Sequence, residues 1–239
     1  TSNAVSLLEE LSSGTRYAVA GSIGPGSLLP ALGQASPETI RAAYLPQING
    51  LIDGGADILL IETVQDILHC KTILSLIYET SQTYHKTIHV IVSATLTQGG
   101  TMLSGTTLEA FTAIIAPFEP MAIGLNCSGG PAELQKHIEQ LSSITATPLI
   151  FMPNAGLPVR KHGKPYWPMD AVTWGKAVAE IAAKTSLAFA GGCCGTTPAH
   201  IAELSQNLNS ITTEDTLKRR EPKPIKTAFN DASRAVLAS

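Results

Sequence analysis

Six apolar runs alternate with amphipathic stretches along this chain of 239 residues. The runs occupy residues 17–24, 56–63, 89–96, 121–128, 148–156 and 187–194. Continuous apolar runs bounded by Gly, Pro or Asn favour strands that are buried on both faces, as in a parallel sheet. Helical stretches between such strands form right-handed crossover units. The pattern therefore predicts an α/β fold with a parallel sheet.

Helix signals fill the intervals between the runs. The clearest set has Ser36 as the N-cap, Pro37 at the first helical position and Gly54 at the end. Three more stretches follow the same logic, at residues 106–118, 130–144 and 169–185. The pattern of polar and apolar residues over 1–16 predicts a further amphipathic helix. The pattern stops after about residue 210, so we expect one domain over residues 1–210 and a linker or peripheral tail over 211–239.

Composition and charge narrow the class of protein. Charged residues make up only 15% of the chain, the formal net charge is −3, and no basic stripe interleaved with aromatic residues indicates nucleic-acid binding. No apolar run reaches the roughly 18 residues that a membrane span needs. The opening stretch also lacks the features of a signal peptide. We therefore expect a cytoplasmic protein without nucleic-acid or membrane partners.

The cysteines carry the candidate chemistry. Cys193 and Cys194 are adjacent, and glycines flank them on both sides. Neighbouring side chains of an ideal strand point to opposite faces, but flanking glycines allow a turn that brings both thiols to one point. Cys127 ends the fourth apolar run and is the best third ligand. Three thiolates with one open position form a catalytic zinc layout. Cys70 lies in a helical stretch and is expected in the core.

A structural zinc site is a further interpretation. It requires a fourth protein ligand, and the sequence offers no obvious Cys or His for that position.

Asn126 and Asn154 offer amides at neighbouring strand ends, where parallel α/β folds place their sites. We predict that both amides bind substrate, and that the carbonyl oxygen of Asn154 occupies the open zinc position before substrate arrives.

Five segments together resemble the zinc-dependent homocysteine S-methyltransferases, and especially the homocysteine-binding domain of cobalamin-dependent methionine synthase. The resemblance covers roughly residues 5–208, and its motifs are specific in combination. The segments are ADILLIETVQD (56–66), MLSGTTLEAF (102–111), GLNCSGGPAEL (124–134), MPNAGLP (152–158) and GGCCGTTPAHI (191–201).

The resemblance implies a fold and a set of site residues. The family fold is a (βα)8 barrel of the TIM type. The three zinc cysteines of the family match Cys127, Cys193 and Cys194, and its glutamate that holds the homocysteine amino group matches Glu62. Family barrels open with two strands that this chain lacks, so we expect only strands three to eight. Six strands leave two open edges, which favour self-association.

The resemblance also implies an activity, which is transfer of a methyl group to the thiol of homocysteine to give methionine. Zinc would keep the thiol as the nucleophilic thiolate. The methyl donor is a small molecule or a separate module, and cobalamin, if used, is carried on another module. We expect this chain alone to be inactive, because the missing first turn contributes to the substrate pocket in the family. The alternative is a non-catalytic metal-binding or interaction remnant of a larger methyltransferase.

Overall fold

The computed structural model describes residues 17–185 and 187–210. The strands in this part of the chain are β1 (Ala20–Ile23), β2 (Ile58–Val64), β3 (His89–Ala94), β4 (Ala122–Asn126), β5 (Leu149–Met152), β6 (Val159–Lys161), β7 (Lys164–Tyr166) and β8 (Leu187–Ala190). The α-helices are α1 (Pro37–Asp53), α2 (Ile67–Tyr84), α3 (Leu108–Ile115), α4 (Pro131–Ile144), α5 (Ala171–Lys184) and α6 (Pro198–Asn209). Short 3-10 helices occupy Pro30–Leu32 and Ala116–Phe118.

Six strands form one sheet in the order β1-β2-β3-β4-β5-β8. Every neighbouring pair is parallel. The order of the strands in the sheet is also their order along the chain. All six come from the apolar runs, which confirms the predicted parallel α/β fold. Among the described residues, β1 and β8 are the edge strands. The carboxyl ends of all six strands therefore lie along one rim of the sheet.

The helices begin where capping residues stand in the sequence. The Ser36 hydroxyl oxygen accepts a hydrogen bond from the backbone N–H of Thr39 at 3.2 Å, which confirms the predicted start of α1. Asp66, Thr107 and Asp170 cap α2, α3 and α5 in the same way. Each such cap contributes about 1 kcal/mol by satisfying a backbone donor that has no partner within the helix.

The two faces of the sheet differ in what covers them. Alternate strand residues such as Leu59, Val92 and Leu125 belong to the main core cluster, to which the helices also contribute. The residues between them point the other way, where Ile91, Ala122 and Ile150 form a second, smaller cluster. We call this second side the inner face. It is only partly apolar, because polar side chains replace the aliphatic ones near the carboxyl ends of the strands.

A short antiparallel hairpin, formed by β6 and β7, is an addition to the predicted elements. All six of its strand residues are exposed, and the segment shows no apolar alternation that would predict strands. The Lys161 ammonium lies 5.1 Å from the centre of the Tyr166 ring across the hairpin. The hairpin follows β5, so it projects from the same rim as the other carboxyl-end loops.

Two predictions lie outside the described residues, namely the helix within residues 1–16 and the tail at 211–239. Within residues 17–185 and 187–210, no helix combines the length and the apolar character that crossing a membrane requires.

Candidate metal centre

Three cysteines from two distant parts of the chain meet at the rim. Cys127 directly follows β4, and the turn after β8 carries Cys193 and Cys194. The three sulfur atoms all lie within 4.8 Å of one another, and the Cys127 and Cys194 sulfurs are 3.7 Å apart. All three cysteine residues are partly exposed rather than buried in the core. The sequence pattern predicted this group of three cysteines, and the structure brings them together.

The turn that carries the cysteine pair is fixed to the end of β5. The backbone N–H of Cys193 donates to the carbonyl oxygen of Pro153 at 3.0 Å, and the N–H of Ala155 donates to the carbonyl oxygen of Cys194 at 2.9 Å. Gly195 follows with a φ of +78°. A Cβ at Gly195 would come within 2.4 Å of Trp167, so only glycine allows this close packing. The turn directs both thiols to one point.

The backbone at Cys127 is held in a conformation that non-glycine residues seldom adopt. Cys127 has a φ of +60° and Ser128 a φ of +64°. The Ser128 hydroxyl compensates by accepting a hydrogen bond from the N–H of Leu96 at 2.7 Å and by pairing with the Thr95 hydroxyl at 2.6 Å. Strained positions of this kind concentrate at functional sites, because the surrounding contacts must maintain them.

The pKa values of the three thiols shift in different directions. A hydrogen bond from Cys193 lowers the pKa of Cys127. The same bond, with burial, raises the pKa of Cys193. Burial and the neighbouring Cys193 raise the pKa of Cys194. Three thiolates at this spacing therefore need a cation among them, which is the situation that metal binding provides.

The sulfur spacing fits zinc. Zn–S bonds of about 2.3 Å in a tetrahedral arrangement separate two sulfurs by about 3.8 Å, close to the 3.7 Å between Cys127 and Cys194. No other group of three or more Cys, His, Asp or Glu side chains in the described residues could hold a metal ion. Within residues 17–185 and 187–210, no fourth Cys, His, Asp or Glu therefore joins the three sulfurs. Catalytic zinc sites keep one position open in this way, whereas structural sites fill all four with protein ligands.

Cys70 is separate from this cluster. It is fully buried within α2 and belongs to the main core cluster. Burial raises its pKa, which keeps the thiol neutral. The prediction that Cys70 is a core residue is confirmed.

Glu62 lies at the carboxyl end of β2, partly buried. The hydroxyl of Ser22, on the neighbouring strand β1, donates a hydrogen bond to the Glu62 carboxylate. Gln47 of α1 in turn donates to the carbonyl oxygen of Ser22 at 3.1 Å. The carboxylate is thus oriented by one neutral donor, and no ion pair of Glu62 is present among the described residues. It retains capacity to accept hydrogen bonds from a cationic group.

The two asparagines contact the protein rather than open space. Asn126 is fully buried and hydrogen-bonds to Thr63 and Ser93. The side-chain oxygen of Asn154 accepts from the backbone N–H of Cys194 at 3.0 Å, so in this structure it braces a cysteine from behind. The predictions that these amides bind substrate, and that Asn154 is a zinc ligand, remain predictions.

Three further polar residues of the site did not enter the predicted set: Ser22, Thr63 and Ser93. Ser93 is fully buried and interrupts the apolar run of β3. A buried hydroxyl in such a run requires a partner, and this is the sequence signal that could have indicated it. Ser22 pairs with Leu60 in register, which places it on the inner face.

Comparison with known proteins assigns the family. The family profile described as homocysteine S-methyltransferase matches residues 1–208 of this chain. The chain belongs to the homocysteine S-methyltransferase family. The resemblance that the sequence motifs indicated is therefore confirmed.

Relatives of this homocysteine S-methyltransferase family member include longer proteins. Methionine synthase of Mycobacterium leprae (strain TN) is 40% identical over 190 residues, and methionine synthase of Mycobacterium tuberculosis (strain ATCC 25618 / H37Rv) is 40% identical over 196 residues. These matches cover 80% and 82% of this chain but only 16% of each relative. The chain thus spans about one sixth of the length of these relatives.

Solved structures of the homocysteine methyltransferase MmuM from Escherichia coli share the fold. The apo form superposes with a TM-score of 0.66 at 26% identity, covering 85% of this chain and 67% of that one. The metallated form gives a TM-score of 0.66 at 25% identity, covering 85% and 65%. The likeness agrees with an α/β fold of the TIM-barrel type built on a parallel sheet.

Proposed function

We propose that this chain binds homocysteine and activates its thiol on zinc for methyl transfer, with methionine as the product. The observation that carries the proposal is the group of three sulfur atoms within 4.8 Å of one another, with no fourth Cys, His, Asp or Glu ligand among the described residues. Family membership supplies the substrate class, since the matching profile is described as homocysteine S-methyltransferase.

Cys127, Cys193 and Cys194 would hold the zinc ion. When bound, zinc lowers the pKa of a coordinated substrate thiol so that it is the thiolate at neutral pH. The partial exposure of the three cysteines leaves the substrate and the methyl donor a path to the site. Backbone hydrogen bonds to Pro153 and Ala155 fix the turn that carries two of the sulfurs, which reduces the reorganisation needed at the moment of reaction.

Glu62 would bind the ammonium group of homocysteine. Its carboxylate lies on the inner face at the same rim as the cysteines, and Ser22 orients it. A charged hydrogen bond of this kind contributes about 1.5–3 kcal/mol. The substrate would then be held at both ends, by its amino group and by its sulfur. For Asn126 and Asn154, the contacts favour support of the site over direct contact with substrate.

The methyl donor would come from outside this chain. The chain matches only 16% of each mycobacterial methionine synthase, so the remaining length of those proteins is available for other modules. We propose that the donor is a small molecule or a separate module, and that cobalamin, if it takes part, is bound by such a module. The partners proposed for this chain are therefore homocysteine and a methyl-donor module.

We also propose that the sheet corresponds to strands three to eight of the family barrel, within a domain at residues 1–210 followed by a tail at 211–239. The six parallel strands in consecutive order and the two edge strands among the described residues support this assignment. Open parallel edges favour pairing with another chain. The chain alone would then self-associate and turn over poorly, since water reaches the incompletely enclosed site.

One experiment tests the activity directly. The zinc-loaded chain is assayed for methionine formation from homocysteine with a panel of methyl donors, and the same assay is run on a form extended N-terminally by about two βα units. The proposal expects methionine from the extended form. Zinc binding without turnover by either form, with every donor, would favour the non-catalytic remnant. Equal turnover by both forms, with the present chain monomeric, would overturn the assignment of the strands.

A further inference from the structure

Strand β2 contains a bulge at the site. Ile61 pairs with Val92, and the next pair in register is Val64 with Ala94. Two residues of β2, Glu62 and Thr63, therefore face one residue of β3. A bulge of this kind adds local twist and changes the direction of a side chain. The direction of the Glu62 carboxylate thus depends on how this bulge is held.

Thr63 is the strained member of the bulge. Its φ is +58°, in the left-handed region that β-branched residues rarely adopt. A bulge also removes a backbone N–H from the regular ladder, and a buried N–H without a partner costs about 1–3 kcal/mol. The conformation persists only if other groups compensate for both costs.

Asn126 provides this compensation. Its side-chain oxygen accepts the backbone N–H of Thr63 at 2.8 Å and the hydroxyl of Ser93 at 2.8 Å. Its side-chain nitrogen donates to the Thr63 hydroxyl oxygen at 2.8 Å. Asn126 is 0% exposed, so no water competes for these bonds. One amide therefore holds both the backbone and the side chain of the residue next to Glu62.

The same amide also reaches the cysteine cluster. The Asn126 nitrogen lies 3.8 Å from the Cys193 sulfur, and Cys127 is the next residue in the chain. A single buried side chain thus connects the bulge that directs Glu62 with two of the three cysteines. Asn126 therefore links the part of the site that carries Glu62 with the part that carries the cysteines.

We propose that Asn126 sets the separation between the Glu62 carboxylate and the cysteine sulfurs, and that this separation selects a thiol amino acid of the length of homocysteine over the shorter cysteine. The proposal rests on the proposed function, in which Glu62 takes the ammonium group and the metal takes the sulfur. Asn126 is a positioning residue here, acting through Thr63 and Cys193. Discrimination of one methylene typically amounts to about 10–200-fold.

The test measures the affinity of two thiols without requiring turnover. The full chain is loaded with Co²⁺, and homocysteine or cysteine is titrated while the sulfur-to-cobalt charge-transfer absorption is followed. The wild-type chain is expected to bind homocysteine at least about tenfold more tightly than cysteine. Asn126→Ala is expected to bring the ratio of the two dissociation constants close to one.

Two variants control the result. Ser143→Ala removes an exposed hydroxyl on α4 whose hydrogen bond to the Gln140 carbonyl oxygen lies within its own helix, so it should keep the wild-type ratio. Thr63→Val keeps the shape of the side chain and removes the acceptor hydroxyl, so it should lower the ratio in the same direction as Asn126→Ala. Combining Thr63→Val with Asn126→Ala should lower the ratio no further, since both break the same link.

The outcomes separate this proposal from the proposed function. A wild-type cobalt spectrum that responds to neither thiol would refute the proposed function. A wild-type preference for homocysteine that Asn126→Ala and Thr63→Val both retain, with the two thiols weakened equally, would overturn only the role of Asn126. If Asn126→Ala fails to fold or to hold cobalt, Thr63→Val decides alone, and an unchanged ratio overturns the proposal.

Discussion

The side-chain oxygen of Asn154 accepts a hydrogen bond from the backbone N–H of Cys194 at 3.0 Å. Asn154 follows β5, and its own carbonyl oxygen accepts from the indole N–H of the buried Trp174 at 3.0 Å. The position of one of the three sulfurs therefore depends on a side chain 40 residues earlier, which the core holds in place.

Asn154→Ala is expected to lower zinc affinity by about tenfold, in the range usual for groups that orient a metal ligand. Asn154→Asp keeps an oxygen acceptor at the same position and should retain more of the affinity. Competition with a chromophoric chelator measures both. Equal affinity of Asn154→Ala and the wild-type chain would show that this hydrogen bond has no role in holding the metal.

Zinc content should depend on three of the four cysteines. We expect about one zinc per chain, and a clear loss of zinc in each of Cys127→Ser, Cys193→Ser and Cys194→Ser. Cys70→Ala is the matched control, since Cys70 is buried in the core and should leave zinc content unchanged. Metal analysis after dialysis measures the content. Full zinc in all three serine variants would refute the assignment of the ligands.

Glu62→Gln should weaken homocysteine binding by about 10–100-fold, because a charged hydrogen bond to the substrate ammonium is lost. Zinc content should remain that of the wild-type chain. Calorimetry with 4-sulfanylbutanoate, which is homocysteine without its amino group, gives the specific readout. The wild-type chain should prefer homocysteine to this analogue, and Glu62→Gln should not.

Glu180→Gln, at an exposed position on α5, is the control for the change of charge. It should keep the wild-type preference. A Glu62→Gln variant that still prefers homocysteine by the full wild-type margin would assign the ammonium group to another residue.

The buried His69 is expected to make the free energy of unfolding depend on pH. It is 3% exposed, its Nε2 atom has no hydrogen-bond partner among the described residues, and it packs edge-on against Tyr44. Burial lowers the pKa of His69, and nearby Asp66 opposes this in part. The unfolded chain therefore binds a proton at a pH at which the folded chain does not. The free energy of unfolding therefore carries no penalty from His69 above the unfolded pKa of about 6.5. It decreases as the pH falls below that value.

Urea unfolding at pH 7 and at pH 5 measures this effect. His69→Phe should reduce the loss between the two pH values, and His89→Gln, at an exposed position on β3, should leave it unchanged. Some loss should remain in His69→Phe, since burial also lowers the pKa of His137. The same loss in His69→Phe and the wild-type chain would exclude His69 as a cause.

The sequence predicts those parts of the molecule that depend on local chemistry. Ser36 and Pro37 indicate the start of α1, the six apolar runs indicate the six parallel strands, and the glycines beside Cys193 indicate a turn. The bulge at Glu62 and Thr63 could not be predicted, because it is defined by the register between β2 and β3. The hairpin of β6 and β7 could not be predicted either, because exposed polar residues show no strand periodicity.

The orientation of the two asparagines shows the same limit. Asn126 and Asn154 end strands of the predicted sheet, so their location at the rim follows from the sequence. Which group each amide contacts depends on residues 63 and 40 positions away in the chain. Contacts over such separations are decided by packing, and local patterns carry no information on them.

X-ray absorption at the zinc edge tests the central claim of zinc-activated homocysteine most directly. The zinc-loaded chain should show three sulfur ligands and one lighter ligand, and saturating homocysteine should convert this to four sulfur ligands with release of a proton. A metal environment that stays the same with and without saturating homocysteine would contradict the account.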